Sequence, residues 1–415
     1  MKILHTSDWH LGHRLYERER RDEQKLALEW LCGFIDREGV EILIVAGDIF
    51  DLANPPNYAR EQYYDFLGQL KNTSCRQVII IGGNHDSPSM LDAPAVLFRY
   101  FNIHVVGAIS DSPSDQIVPL HDSGGQAIGW VAAVPFLRDR DLRYSIAGQT
   151  PGEREQKLQE GIRDYYRLMA EELASKTGQN NQLLIATGHL YARGAQTASK
   201  QDNIYIGSRE NILAEQFPEI FDYVALGHIH RPQKVGGQDR IRYSGSLIPL
   251  DFSETGDQKS VVVIDYDVGS PLKIQLVEVP VFRRLKSVAG TLNEVEQKLK
   301  RFLAKRQLAE HEPLEPWLEI RIQTDKPIPS LADRIQQLID GRPADVLAIR
   351  LERTPVQEGG DKSEVLPQLD ELDPEQVFVK LISGHDGQLP ENGEELIDSF
   401  RALRDWHSQQ KVLLD

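Results

Sequence analysis

Residues 77–86 read QVIIIGGNHD, Gln77 to Asp86, and this order decides what kind of fold the chain builds. Val78 to Ile81 form a β-branched run bounded by glycine, the pattern of a buried strand. In open sheets, ligands bind beyond the carboxyl ends of strands. Gly82 and Gly83 allow a tight turn there, which brings Asn84 and His85 to the strand mouth. The same grammar recurs four times: KILHTSDWH ends in Asp8 and His10, EILIVAGD in Asp48, QLLIATGH in His189, and DYVALGHIH in His228 and His230. Five apolar strands each deliver a metal-competent side chain at their ends, which chance scatter of 12 histidines would not do.

The residue types suit a pair of cations. An extended Ser7-Asp8-Trp9-His10 tip puts Asp8 and His10 on one side and Trp9 on the other. Asp48 directly follows a glycine, and a carboxylate there can give one oxygen to each of two ions, as no imidazole nitrogen can. The expected arrangement is Asp8, His10 and His230 around one ion and Asn84, His189 and His228 around the other, with Asp48 bridging. Carboxylates and imidazoles without thiolate are compatible with Mn²⁺, Fe²⁺ or Zn²⁺. Two such ions about 3.5–4 Å apart clamp a phosphate for in-line attack, so phosphoester hydrolysis is the natural reaction. His85 is not needed as a ligand and is the candidate to stabilise the transition state or protonate the leaving oxygen. Asp86 is expected to hold the His85 ring by its other nitrogen. Asp51 reads as an acceptor for the following turn, and His5, His13 and His104 as core or surface histidines, with His13 the one nearest to a substrate role.

At 415 residues the chain exceeds the usual single-domain size, so one large domain with smaller modules is expected. A net charge of −16 argues against a broad basic surface that wraps nucleic acid unaided. Bound cations invert the local potential, and a partner can supply phosphate contacts. Two cysteines make no disulfide framework, which points to a reducing compartment. The chain starts directly with a strand, and no run approaches the roughly 18–20 apolar residues of a spanning helix. A cytoplasmic protein with no membrane contact and no secretory leader is the expectation. The GAQTASK stretch lacks Walker spacing, so no ATP site is expected in this chain.

Periodicity predicts helices over 21–38, 57–70, 88–99 and 153–175, and strands over 103–106, 127–134 and 182–187. The 57–70 helix carries Tyr58, Tyr63, Tyr64, Phe66 and Leu67, enough aromatic surface for either a core contact or a subunit interface. Residues 190–208, polar and glycine-rich, read as a mobile rim. Beyond His230, RIRYSGSLIP, KSVVVIDYD and LKIQLVEVP read as consecutive strands of a second sheet. The domain reading is a catalytic α/β domain over 1–280 and an α+β domain over 281–356. In the latter, helices at 291–307 and 329–340 alternate with strands at 317–323 and 345–351. A glycine- and acid-rich linker follows over 357–373, then a helical segment over 374–415. Its stripe of Leu396, Phe400, Leu403 and Trp406 needs a surface to dock on.

The motifs DWH, GDIFD, GGNHD, TGH and GHIH resemble the calcineurin-like metallophosphoesterase superfamily. More narrowly, HTSDWHLG at residues 5–12, VAGDIFD, GNHDSP, LGHIHR and RYSGS are similar to the bacterial SbcD nuclease subunits, in detail over the catalytic region and only in layout over the C-terminal third. The resemblance implies a two-sheet sandwich flanked by helices, with a capping domain beside the active site. It implies a Mn²⁺-dependent DNA nuclease, 3'-to-5' exonuclease on duplex ends and endonuclease on hairpins or single strands, holding two Mn²⁺ ions per subunit. By this similarity Asp8, His10, Asp48, Asn84, His189, His228 and His230 are the metal ligands and His85 the catalytic histidine. It further implies a homodimer, with contacts from helices 57–70 and 88–99, bound to the coiled-coil ATPase SbcC through the final helices and working at the nucleoid. A phosphodiesterase or phosphatase acting on small nucleotides shares every ligand and is the alternative reading. A non-enzymatic dimer that only stabilises a partner is disfavoured, because buried carboxylates and imidazoles without metal cost stability.

Overall fold

Along Ile42–Ala46 every side chain is buried, and successive side chains point to opposite faces, so this strand must be covered on both sides. The computed structural model shows how. It describes residues 1–122, 124–142, 150–177, 182–193, 211–304, 312–324, 328–352, 378, 379, 382, 393, 396–400 and 403. The expectations for most of 190–208, for the 357–373 linker and for Trp406 lie outside the described residues.

In chain order the strands of the two large sheets are β1 (Lys2–Thr6), β2 (Ile42–Ala46), β3 (Gln77–Ile81), β4 (Ile103–Val106), β5 (Ile117–His121), β6 (Ala127–Ala132), β7 (Leu183–His189) and β8 (Tyr223–Gly227). β9 (Gln233–Val235), β10 (Gln238–Tyr243), β11 (Ser260–Asp265) and β12 (Lys273–Glu278) follow. One six-stranded sheet runs β12-β11-β1-β2-β3-β4 and the other β9-β10-β8-β7-β6-β5. Between them lies a dry layer in which Ile3, Ile42, Ile44 and Ile79 of the first sheet meet Val131, Leu183, Ile185 and Ala225 of the second. The alternate residues of the first sheet, such as Leu43 and Val45, pack under α1 (Arg21–Glu38) and α2 (Asn57–Leu70). On the outer face of the second sheet, Leu184 and Val224 pack with Ile162, Tyr166 and Met169 of α3 (Pro151–Lys176). The result is a four-layer helix–sheet–sheet–helix sandwich of the α/β class, the arrangement the resemblance implies.

Several expectations need correction. RIRYSGSLIP, KSVVVIDYD and LKIQLVEVP do not share one sheet. β10 extends the second sheet parallel to β8, whereas β11 pairs antiparallel with β1 and β12 with β11. The reason is burial: Val261, Val262, Val263 and Ile264 alternate between both apolar layers and need the two-sided cover that a place beside β1 provides. The 88–99 helix is two short ones, Pro88–Asp92 and Ala95–Arg99, because Pro94 cannot donate a helical N–H. β5 had no separate prediction. α3 starts at a capping box in which Thr150 and Glu153 satisfy each other's backbone amides.

A third sheet is built from β13 (Arg283–Gly290), β14 (Leu314–Gln323) and β15 (Asp345–Glu352), all parallel, with α4 (Leu292–Ala304) and α5 (Leu331–Ile339) as crossovers. The basic FRRLK stretch, just past the expected domain end at 280, lies at the start of β13. Val288, Leu318 and Ile320 pack with Val295, Leu299 and Ile335 of the helices as a separate small core. This sheet meets the sandwich where Trp317 and Leu285 pack on Leu15 and Phe252. There the Arg283 guanidinium lies 4.2 Å from the centre of the Trp317 ring and Tyr16 Oη bonds Glu319 Oε1 at 3.0 Å. The chain divides into two units, Met1–Thr354 and Pro355–Asp415. Within the second, the rings of Phe378 and Phe400 stack with centroids 4.4 Å apart, and Leu403 is exposed. No helix among the described residues is long and apolar enough to cross a membrane.

Candidate metal centre

β1, β2 and β3 are parallel neighbours, as are β7 and β8, so each sheet delivers its loops at one end. The two ends meet where His189 Nδ1 donates to the Ala46 carbonyl, at 2.9 Å. Gly227 permits that approach, since a Cβ there would lie 1.9 Å from Ala46 O. The glycines of GGNHD serve the same purpose. Neither Gly82 nor Gly83 has a positive φ, but a Cβ on Gly83 would fall 2.1 Å from Asp48 Oδ1. They are there for close approach rather than for a special turn.

The Ser7–His10 tip is not extended. Asp8 and His10 have φ of 53° and 45°, and Asp48 and His228 are left-handed too, at 49° and 101°. Such values are unusual for non-glycine residues and gather at functional loops. They are held by loop-to-loop hydrogen bonds: Asp8 N to Gly47 O and His10 N to Asp48 O, both 3.0 Å, and Leu11 N to Ile49 O at 2.9 Å. The Asp86 carboxylate ties the next loop in, accepting from the amides of Gly83, Ile49 and Phe50 at 2.9, 3.2 and 3.0 Å. It does not hold His85. The Nδ1 of that ring donates to Asp51 O at 2.8 Å, because the three amides already claim the Asp86 oxygens.

All seven expected ligands converge. Asp8, His10 and His230 offer donor atoms within 4.8 Å of one another, as do Asp48, His189 and His228. The Asn84 amide oxygen sits 3.0 Å from His189 Nε2 and 2.9 Å from His228 Nδ1. Asp48 Oδ2 lies between the groups, 3.1 Å from His189 Nε2 and 3.5 Å from His10 Nε2. His10 Nε2 is buried without a hydrogen-bond partner, while its Nδ1 is 3.1 Å from Asp51 Oδ1. A cation among these oxygens and nitrogens would satisfy the orphaned nitrogen, and the donor set fits a divalent ion.

The cluster's carboxylates and imidazoles interact strongly with one another. Burial alone would raise the Asp48 carboxyl, but His189 and then His10 hold it well below the usual carboxylate range. Burial disfavours the charged His189 ring, yet Asp48 and then Asp8 outweigh it and lift the pKa to about 9. His228, buried and next to His189, is held far below its ordinary value. Asp86 is pushed up to about 6 by burial and then by Asp48.

Further groups, not assigned from the sequence, hold the ligands. Ser7 Oγ donates to Asp8 and contacts Ser244 Oγ at 2.8 Å, and the His228 amide reaches Asp8 Oδ1 at 2.9 Å. Asp51, read as a turn acceptor, instead faces His10 and His13, and His13 Nε2 donates to Leu250 O. His13 thereby braces the loops between Asp51 and Leu250. Glu254 meets His230 Nδ1 at 2.9 Å. Neither Ser244 nor Glu254 is marked by any spacing, and Glu254 lies 24 residues beyond its histidine. His5 is buried against Tyr223 and His104 bonds Asn102, as structural histidines do.

Comparison with known proteins places this geometry. The calcineurin-like phosphoesterase family matches residues 1–232, and a family described as "Type 5 capsule protein repressor C-terminal domain" matches 281–385. The chain is 36% identical over 383 residues to the SbcD subunit of the SbcCD nuclease of Escherichia coli, covering 92% of this chain and 93% of that one. It is 33% identical over 364 residues to the Rhodobacter capsulatus protein of the same name, covering 85% and 88%. To the Bacillus subtilis protein it is 34% identical over 274 residues, covering 65% and 67%. With the two ligand clusters in place at the sheet ends, the chain belongs to the SbcD family of nuclease subunits within the calcineurin-like metallophosphoesterases, enzymes that hydrolyse phosphodiesters with a pair of metal ions.

Proposed function

We propose that the chain is a Mn²⁺-dependent DNA nuclease, 3'-to-5' exonuclease on duplex ends and endonuclease on hairpins and single strands, acting with the ATPase SbcC. The observation that carries this is the pair of adjoining ligand clusters, with Asn84 and His85 exposed above them. In this reading Asp8, His10 and His230 would hold one ion and Asn84, His189 and His228 the other, with Asp48, whose Oδ2 lies between the two groups, within reach of both. When bound, the ions polarise the scissile phosphate and make water a nucleophile at neutral pH. The protein's own contribution is orientation. The Asp51 carbonyl only accepts, so His85 Nδ1 must carry a proton and Nε2 is left for the substrate. Protonated, that nitrogen donates to the leaving oxygen. Asp86 acts through the loops, by holding Ile49, Phe50 and Gly83 around Asp48.

We assign residues 1–280 to the nuclease domain, 281–356 to the cap, 357–373 to a linker and 374–415 to SbcC binding. A homodimer is supported by the exposed apolar surface next to α2, where Val96, Leu97, Tyr100 and Phe101 are 73%, 60%, 84% and 59% exposed. Two such chains with two SbcC chains would form a heterotetramer at the nucleoid. The decisive assay is cleavage of a hairpin duplex with Mn²⁺, in the presence of SbcC, by the parent and by His85→Gln. The variant should lose about 10²–10⁴-fold in rate while still binding Mn²⁺. Equal cleavage by both, or none by the parent, sinks the proposal.

A further inference from the structure

Glu254 closes a short 3₁₀ turn, Phe252–Glu254, whose start is fixed by Asp251 accepting from Ser253 N. It is 3% exposed, and so needs compensation, which Lys259, itself 4% exposed, supplies at 2.7 Å from Oε2. The Leu250 amide donates to the same oxygen at 3.0 Å. Oε1 is thereby left to a single task, and meets His230 Nδ1 at 2.9 Å. Lys259 also donates to the His230 carbonyl at 2.8 Å, so one ion pair grips this residue by ring and by backbone.

A carboxylate on Nδ1 fixes the ring's tautomer and rotation, presents the Nε2 lone pair to the cluster, and makes it a stronger donor. In the Asp8, His10 and His230 group both imidazoles are backed this way, His10 by Asp51 and His230 by Glu254. In the other group the His189 ring is backed by the Ala46 carbonyl, a weaker partner.

We infer that Glu254, locked by Lys259, is a positioning residue that sets the affinity of the ion held by Asp8, His10 and His230 and leaves that of the ion on His189 and His228 unchanged. The inference rests on the two-ion reading above. Its test is titration of the full chain with Mn²⁺ alone, by calorimetry and by the electron paramagnetic resonance of bound Mn²⁺, alongside urea unfolding of the metal-free protein. Glu254→Asp keeps the charge opposite Lys259 but withdraws it from the ring, and should weaken one ion by about 10–100-fold. Glu254→Gln with Lys259→Met restores a neutral pair, and should recover unfolding stability but not the lost affinity. Unchanged affinity of both ions in these variants overturns the inference. So does affinity that returns together with stability, since the pair would then be only structural. A parent that binds fewer than two ions refutes the two-ion reading itself and takes this inference with it.

Discussion

Gly227→Ala tests the joint on which the centre is built. The added methyl would stand 1.9 Å from Ala46 O and 2.8 Å from His189 Nδ1, whereas real contacts of this kind do not fall below 3.0 Å. The Ala46 carbonyl must therefore retreat by about 1 Å, and it is the same atom that anchors the His189 ring. Overpacking of this sort costs about 1–3 kcal/mol. Loss of a buried hydrogen bond to the imidazole adds about 1–3 kcal/mol. We expect a loss of roughly 2–6 kcal/mol in urea unfolding of the metal-free protein, and a drop of about 10–100-fold in affinity for the Mn²⁺ ion on His189. Gly33→Ala is the control. It lies on the exposed face of α1 with no atom within 4 Å of its new methyl, and should gain up to about 1 kcal/mol because alanine favours the helix. If Gly227→Ala matched Gly33→Ala in both measurements, the close approach of β8 to the end of β2 would be refuted.

Other expectations concern proton, metal and cap. His5 is buried and its pKa is lowered from 6.5 to about 3 by desolvation. The unfolded chain thus takes up this proton first. The contribution to stability is complete above pH 6.5 and declines as the pH falls towards about 3, by at most on the order of 5 kcal/mol. His5→Gln should flatten that decline in urea unfolding, and an unaltered pH slope would show that the buried imidazole is not its source. Adding Mn²⁺ at about 100 times its Kd to chelator-treated protein should stabilise it by about 2.7 kcal/mol for each ion. Asp48→Asn should forfeit most of this gain, and an undiminished thermal shift in the variant would exclude Asp48 from the ions. Trp317→Ala removes the ring packed on Leu15, Phe252 and Leu285. It should cost about 3 kcal/mol and speed hydrogen exchange in β13, whereas parent-like exchange there would mean that the third sheet is held elsewhere.

The sequence carried most of the centre because the chemistry is local at each of its five pieces. An apolar strand announces itself by its β-branched run, and a polar ligand directly after it has nowhere to go but the sheet end. Asp8, His10, Asp48, Asn84, His189, His228 and His230 were therefore legible one loop at a time. The helices 21–38 and 57–70 were legible too, since one face of each is apolar at the right spacing and their ends carry glycine or proline signals.

What the sequence could not settle depended on where separate segments meet. KSVVVIDYD is a strand by composition, but whether it extends the second sheet or lies beside β1 depends on which surface remains uncovered after the other strands have paired. Asp86 and Asp51 are both carboxylates next to site histidines. The tertiary structure alone assigns the first to three backbone amides and the second to His10 and His13, since a hydrogen bond is decided within a few tenths of an ångström. Glu254 and Lys259 reach His230 only because β10, the turn after it and β11 fold back onto the end of β8. Local pattern picked out the candidate ligands, because burial and turn propensity are properties of a few neighbouring residues. The groups that hold those ligands in place were decided by tertiary structure, because contacts between distant segments leave no periodic trace in the chain.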